Sequence, residues 1–411
     1  MLTLAYILIF AIDFFTVSHS LNVLFNANVG SSLKTYLKPE IKKNIKLPVW
    51  PVWGGVLQQL LDWAGQPYIS SILFKNVGGR VVPLSLEELQ VSPFLLLAHH
   101  CHSFTPFDPF RKISEIFISE GFPAHPHSGF DTVTYCLDGG FLHRDSEGMK
   151  MSYGDGDVQW MRAGRGIIHE EMWDNVKSYS SHQKIEIFQI WVNLPQKLKA
   201  NSPAVKLIKS SEIPDFVVDN GIQVKLIAGT VSDIRKGLSY EGPGNVIAGS
   251  PTAILHITVP SKKRLELSVP KQSTSLAYIR AGSATVRGDV EQPLRYSDSV
   301  LFRDDFIDDQ TSASESNPAN YNDSSYRVID LQAEEEGVDL LLLVGEPLGE
   351  PVLWNGPFVQ ENERDLYRVA RVFARVGRSG FWDFRLTDSE WLRHVKGLDL
   401  QRLIDKEEEG N

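Results

Sequence analysis

From about residue 72 the chain reads as one short apolar run after another, each ended by Gly, Pro, Asp or Asn within about a dozen residues. The runs include DTVTYCLDGG, IEIFQIWVNLP, IQVKLIAG, ILHITVP, RLELSVP, SLAYIRAGSATVRG and DLLLLVGEP. That spacing predicts an all-β sandwich or barrel. Two passages, TVTYCLDGGFLHR and SLAYIRAGSATVR, share an outline of strand, glycine turn and strand. The echo points to a duplicated β-barrel.

The flanks have a different character. In the first 25 residues Asp13 is the one acidic side chain, and no Lys or Arg precedes Lys34. The apolar run fits a secretory signal, although such signals usually open with positive charge. A membrane anchor needs about 20 apolar residues, and Asp13 would be costly inside one. The basic stretch SSLKTYLKPEIKKNIKLP that follows fits a second targeting segment. Residues 1–70 are therefore expected to be a leader, with an anchor or a misassigned start as alternatives. A leader would send the chain along the secretory route or to an organelle; without one, cytoplasm or nucleus is expected. Membrane contact is expected only through this segment, if it stays uncleaved.

NLPQKLKANSPAVKLIKSSEIPD reads as a connector, and DDFIDDQTSASESNPANYNDSS as an exposed acidic loop. The end of the chain has helical spacing at Trp391, Leu392, Val395, Leu398 and Leu400, with Asp388 as a candidate cap. The expected division is 1–70 leader, 71–200 first β-domain, 201–366 second β-domain and 367–411 helical tail.

At 411 residues the chain has room for two domains. Its 41 basic against 51 acidic residues give a net charge of −10, which argues against broad phosphate binding, so no direct nucleic-acid partner is expected. Cys101 and Cys136 are too few for a disulfide framework or a four-thiolate zinc site. They read as buried thiols, with one bridge as the alternative.

Eight of the eleven histidines lie between His99 and His182. His125 and His127 flank Pro126, which favours an extended backbone. On a strand, residues i and i+2 share a face, so the two imidazoles are expected to converge. His169 and Glu171 form a second such pair, with Glu170 turned the other way. On neighbouring strands the two pairs would bring three imidazoles and a carboxylate to one point, a donor set suited to a divalent first-row metal. His100 and His102 also share a face. A second metal site there is conceivable, but packing or hydrogen bonding is the simpler role. His143 reads as a polar strand-end residue.

GFPAHPHSGFDTVTYCLDGG, GDGDVQWMRAGRGIIHEEMW and QIWVNLP resemble the metal-binding half of the pirin family, within the cupin superfamily. LLLLVGEPLGEPVLWNGPFVQ resembles that family's closing signature. The resemblance covers roughly residues 72 to 366. It implies a bicupin, two face-to-face β-barrels of the double-stranded β-helix or jelly-roll type, with metal in the first. Matched position by position, it places the ligands on His125, His127, His169 and Glu171. Asp131 stands where the wider cupin pattern has Glu, a position that is not a ligand in pirins.

The resemblance also implies function. One branch acts as quercetin 2,3-dioxygenases, which open a flavonol with O2. In that case the cofactor is one Fe2+ ion, and Glu171 is both ligand and catalytic base. The partners are a flavonol-like substrate and O2, and the chain is expected to be a monomer. The alternative is a non-catalytic iron and redox sensor that binds transcription regulators. A metal-free bicupin is the third reading.

Overall fold

The computed structural model describes residues 21–25, 38–44, 47–48, 78–87, 89–104, 120–173, 183–287, 292–303, 325–379 and 381–409. The chain divides into two units. One comprises Met1–Asn44, Leu86–Phe94 and Ser211–Leu348; the other comprises Ile45–Ser85, Leu95–Ser210 and Gly349–Asn411. Both are β-rich.

The first unit is organised on one long strand, Tyr326–Gly345, which pairs antiparallel with Thr252–Val259, Arg264–Pro270 and Thr274–Val286. Alternation builds its core. Ile329, Leu331, Ala333, Val338, Leu340, Leu342 and Val344 of the long strand all enter one apolar cluster, joined by Ala253, Leu255, Ile257 and Val259 of a partner. Every second side chain of a strand faces inward, so one sheet face becomes continuous hydrocarbon.

This sheet also contains residues expected to be leader. Asn22–Phe25 lies parallel to Thr230–Asp233 and antiparallel to Arg264–Pro270. Lys38–Lys42 pairs with Ser299–Arg303. Leu21, Val23 and Phe25 are buried in the core cluster. The reason for the difference is compositional: LNVLF has the apolarity of a signal segment and equally that of an inner strand. Residues 1–20 lie outside the described residues, as does the acidic loop from Asp304 to Ser324. Among the described residues no helix is long and apolar enough to cross a membrane.

Among the described residues the second unit has two main antiparallel sheets, besides a hairpin of Leu353–Asn355 with Phe358–Gln360. The larger runs in the order Ala204–Ile208, Val158–Arg162, Phe130–Asp138, Gln183–Asn193, Phe94–Phe104, Gly78–Ser85 and Leu47–Pro48. The smaller runs Gly121–His127, Ile167–Trp173, Gly140–Asp145 and Lys150–Gly154. Ala204–Ile208 falls within the expected connector; its VKLI alternation is enough to pair it with Val158–Arg162.

The helical tail belongs to this unit. Helices Glu363–Ser379, Asp388–Leu398 and Leu400–Glu409 pack Val369, Phe373, Trp391 and Ile404 against Ile168 and Phe358. Thr387, rather than Asp388, caps the middle helix: its hydroxyl accepts from the Glu390 N–H, and the Glu390 side chain returns to the Thr387 N–H. T-D-S-E is thus a capping box. Asp399, at φ 42°, separates two helices where one was expected.

Candidate metal centre

The site is built on the smaller sheet. Gly121–His127 is a strand, as Pro126 suggested, and it pairs antiparallel with Ile167–Trp173, placing His125 opposite His169. Side chains of opposed residues share a face. On its other edge Ile167–Trp173 sets His169 opposite Asp145 and Glu171 opposite His143.

His125, His127 and His169 come together, with one ligand atom of each within 4.8 Å of the others. Their ring centroids lie 4.5 to 5.0 Å apart. Among the described residues no other three His, Cys, Asp or Glu side chains converge in this way. Burial pushes His127 and His169 well below the ordinary imidazole range. It lowers His125 too, against the opposing effect of the hydrogen bond His125 donates to the Pro123 carbonyl. All three are neutral near pH 7, so each offers a ring lone pair.

His125 Nδ1 lies 2.7 Å from the Pro123 carbonyl oxygen, which can only accept. Nδ1 therefore carries the proton and Nε2 is left as donor atom. Both ring nitrogens of His127 and of His169 are buried without a hydrogen-bond partner in the described structure. Each such group costs about 1–3 kcal/mol unless something satisfies it. A metal ion would do so for one nitrogen of each ring, and the donor set fits a divalent first-row ion.

Glu171 is not a member of the 4.8 Å cluster. Pairing shifts register between His169 and Glu171, so that Glu171 stands opposite Phe122 and two residues, Pro123 and Ala124, face Glu170. Bulges of this kind re-aim a side chain. The buried carboxylate accepts from Tyr153 Oη at 2.6 Å and Thr134 Oγ1 at 3.1 Å on Oε1, and from Gln189 Nε2 at 3.1 Å on Oε2. Burial and the Glu171 charge push the Tyr153 hydroxyl well above its ordinary range, so it remains a donor.

His143 is fully buried, and its ring lies 5.4 Å from that of His169. Its Nε2 is 3.0 Å from Asp145 Oδ2, while Asp145 Oδ1 accepts the Glu147 and Met149 backbone N–H groups. This dyad, with Tyr153, Thr134 and Gln189, was missed in the sequence. The signal was there for His143: in F-L-H-R-D it shares a strand face with Phe141 and Asp145 by the same i, i+2 rule.

The remaining candidates lie elsewhere. Asp131 accepts from Trp160 Nε1 at 2.9 Å and Arg162 Nε at 3.3 Å. His100 and His102 stack at 5.7 Å, with Phe122 against the first and Trp173 against the second. Burial pushes His100 down to about 3. His99 stacks on Phe188 and meets Glu186 at 3.1 Å. Cys101 and Cys136 form no disulfide, and burial pushes the Cys136 thiol up to about 12.

Beside His127 stand Phe130 and Trp191, stacked at 4.5 Å, with Trp354 next to Trp191 at 5.6 Å. The Ser128–Gly129 link joins the histidine strand to this aromatic group. Gly129 has φ +90°, and a Cβ there would sit 1.8 Å from the Val359 carbonyl oxygen. Gly129→Ala is expected to destabilise this unit by on the order of 3 kcal/mol. An unchanged denaturant midpoint would show that the link can shift to make room.

Comparison with known proteins gives the following. Residues 80–192 match the family model described as Pirin, and residues 254–376 match the Pirin C-terminal cupin domain. Pirin-1 of Arabidopsis thaliana is 34% identical over 263 residues, 63% of this chain and 79% of its own length. A pirin-like protein of Caulobacter vibrioides is 31% identical over 278 residues, covering 66% of this chain and 87% of its own. A crystal structure of quercetin 2,3-dioxygenase from Acinetobacter baumannii aligns with TM-score 0.58 at 27% identity, over 73% of this chain and 92% of that one.

Proposed function

The chain belongs to the pirin family, and from that premise we propose that it is a metal-dependent dioxygenase of the quercetin 2,3-dioxygenase type. The observation that carries this reading is the convergence of three neutral imidazoles, with both ring nitrogens of the buried His127 and His169 lacking hydrogen-bond partners in the described structure. His125, His127 and His169 would hold one divalent ion, with Glu171 as fourth ligand. Fe2+ is the choice that the family resemblance suggests, since imidazole sites also accept manganese, nickel, copper or zinc. When bound, the ion supplies Lewis acidity toward a substrate hydroxyl and a redox centre for O2.

The chain's own residues do the rest. Glu171 is assigned as the base that takes the proton of a flavonol 3-hydroxyl. Oε1 already accepts two hydrogen bonds and Oε2 one, so Oε2 keeps one acceptor position, open to the ion or to the substrate proton in turn and not to both at once. Tyr153, Thr134 and Gln189 hold the carboxylate's orientation. The partly exposed Trp191 and Trp354, with buried Phe130 stacked beneath Trp191, offer flat faces suited to a planar aromatic substrate.

The test is elemental analysis of protein purified without added metal, followed by flavonol turnover under air. Glu171→Gln is expected to lower turnover by roughly 100-fold or more and to weaken metal retention. Wild-type turnover in that variant would remove the base assignment. Metal bound at one ion per chain with no flavonol consumed would favour the sensor reading instead.

A further inference from the structure

The strand Ile167–Trp173 has two occupied faces. His169 and Glu171 lie on one. On the other, Ile168 packs against Phe373, Trp391 and Ile404 of the C-terminal helices. Glu170, also on that face, meets Arg144, its cross-strand partner in register. Arg144 Nε donates to Glu170 Oε1 at 2.5 Å, Nη1 to the Leu386 carbonyl at 2.8 Å and Nη2 to the Phe384 carbonyl at 3.0 Å. The Trp391 ring lies 5.4 Å from the guanidinium carbon. Arg144 and Glu170 are both buried. Around this tie, Lys150 pairs with Asp388 at 2.6 Å, and Gln401 donates to Glu147 and to the Gly166 carbonyl.

We infer that the C-terminal helical tail is a working part of the metal centre, and that Arg144 is the positioning residue through which it holds His169 and Glu171. Glu170 sits between those two residues, so its backbone cannot tilt without carrying both. A metal site tolerates displacements of only about 0.5 Å, and partners behind the ligands commonly set affinity. The planar guanidinium suits the task because one rigid fork reaches a carboxylate and two carbonyls at once. A lysine can satisfy Glu170 but cannot span all three. This inference rests on the metal reading above.

The test uses the full chain loaded with Co2+, in wild type, Arg144→Lys and Trp391→Leu. The first variant keeps the charge beside Glu170; the second loosens the tail while leaving every residue of the strand unaltered. Three quantities are read: amide exchange across residues 384–391, the Co2+ d–d absorption bands, and the rate of Co2+ release to a chelator. Both variants are expected to lose amide protection, to shift the bands and to release Co2+ on the order of tenfold faster. Loss of tail protection with unchanged bands and release would overturn the inference, because the tail would then be cladding only. Retained protection in both variants would overturn it too, since Arg144 would not be the tie. A wild-type chain that takes up no Co2+ removes the metal reading itself, and is told apart by the parent sample alone.

Discussion

His169→Ala is expected to purify without metal and to keep its fold. His169 is fully buried at the centre of the smaller sheet, with His125 opposite on one edge and Asp145 on the other. Removing it takes away one of three clustered imidazoles and leaves two, with Glu171 outside their 4.8 Å cluster. The loss of affinity should exceed the roughly 10–100-fold that partners behind the ligands cost. Stability of the metal-free protein should change little, because two opposing effects have similar size. Truncation leaves a cavity of imidazole size, but it also removes a ring whose two nitrogens lack partners, a penalty of about 1–3 kcal/mol per group. A ligand that binds only the folded state stabilises it by mass action. Added metal should therefore raise the melting temperature of wild type and leave that of His169→Ala unmoved. Metal content at wild-type level in the variant would end the three-histidine assignment.

The same site marks how far sequence reasoning reaches. Alternation along a strand is local, so H-x-H and H-x-E were legible as same-face pairs, and the three histidines do meet. The position of Glu171 was not, because the bulge opposite Glu170 depends on how Pro123 and Ala124 pair with a strand some 45 residues away, a register that spacing cannot reveal. His143 and Arg144 were passed over for a related reason. A polar H-R-D at a strand end is usually solvated; here the tail and the sheet bury it, and burial is a tertiary property. The Thr387 cap followed a local rule and could have been read from T-x-x-E. The all-β class was plain throughout, since short apolar runs between turn residues have few other outcomes.

The largest effect on stability is expected at the opposite end of the chain. A chain starting at Leu21 keeps the strand Asn22–Phe25, whereas one starting at Ile45 loses it together with Lys38–Lys42. Leu21, Val23 and Phe25 sit in the core of the first unit, each at most 6% exposed. Burying side chains of this size contributes about 1.5–3 kcal/mol apiece, so the three together approach the 5–15 kcal/mol that holds a typical domain folded. Arg264–Pro270 would also lose one of its partners, along Leu24–Phe25, and Ser299–Arg303 would lose one of its two, baring backbone groups at two edges. Asn44, which donates to the Ser297 carbonyl at 2.6 Å, would go with them. The chain starting at Ile45 is therefore expected to expose the first unit, seen as fast amide exchange over 264–270 and 299–303. Val23→Asp in the full chain should do the same by placing an unpaired charge in hydrocarbon. A leader, where one is removed, has to end before Leu21. Equal protection and equal unfolding midpoints for chains starting at Leu21 and Ile45 would mean that these strands are accessory, and would restore the sequence expectation of a dispensable segment to residue 70.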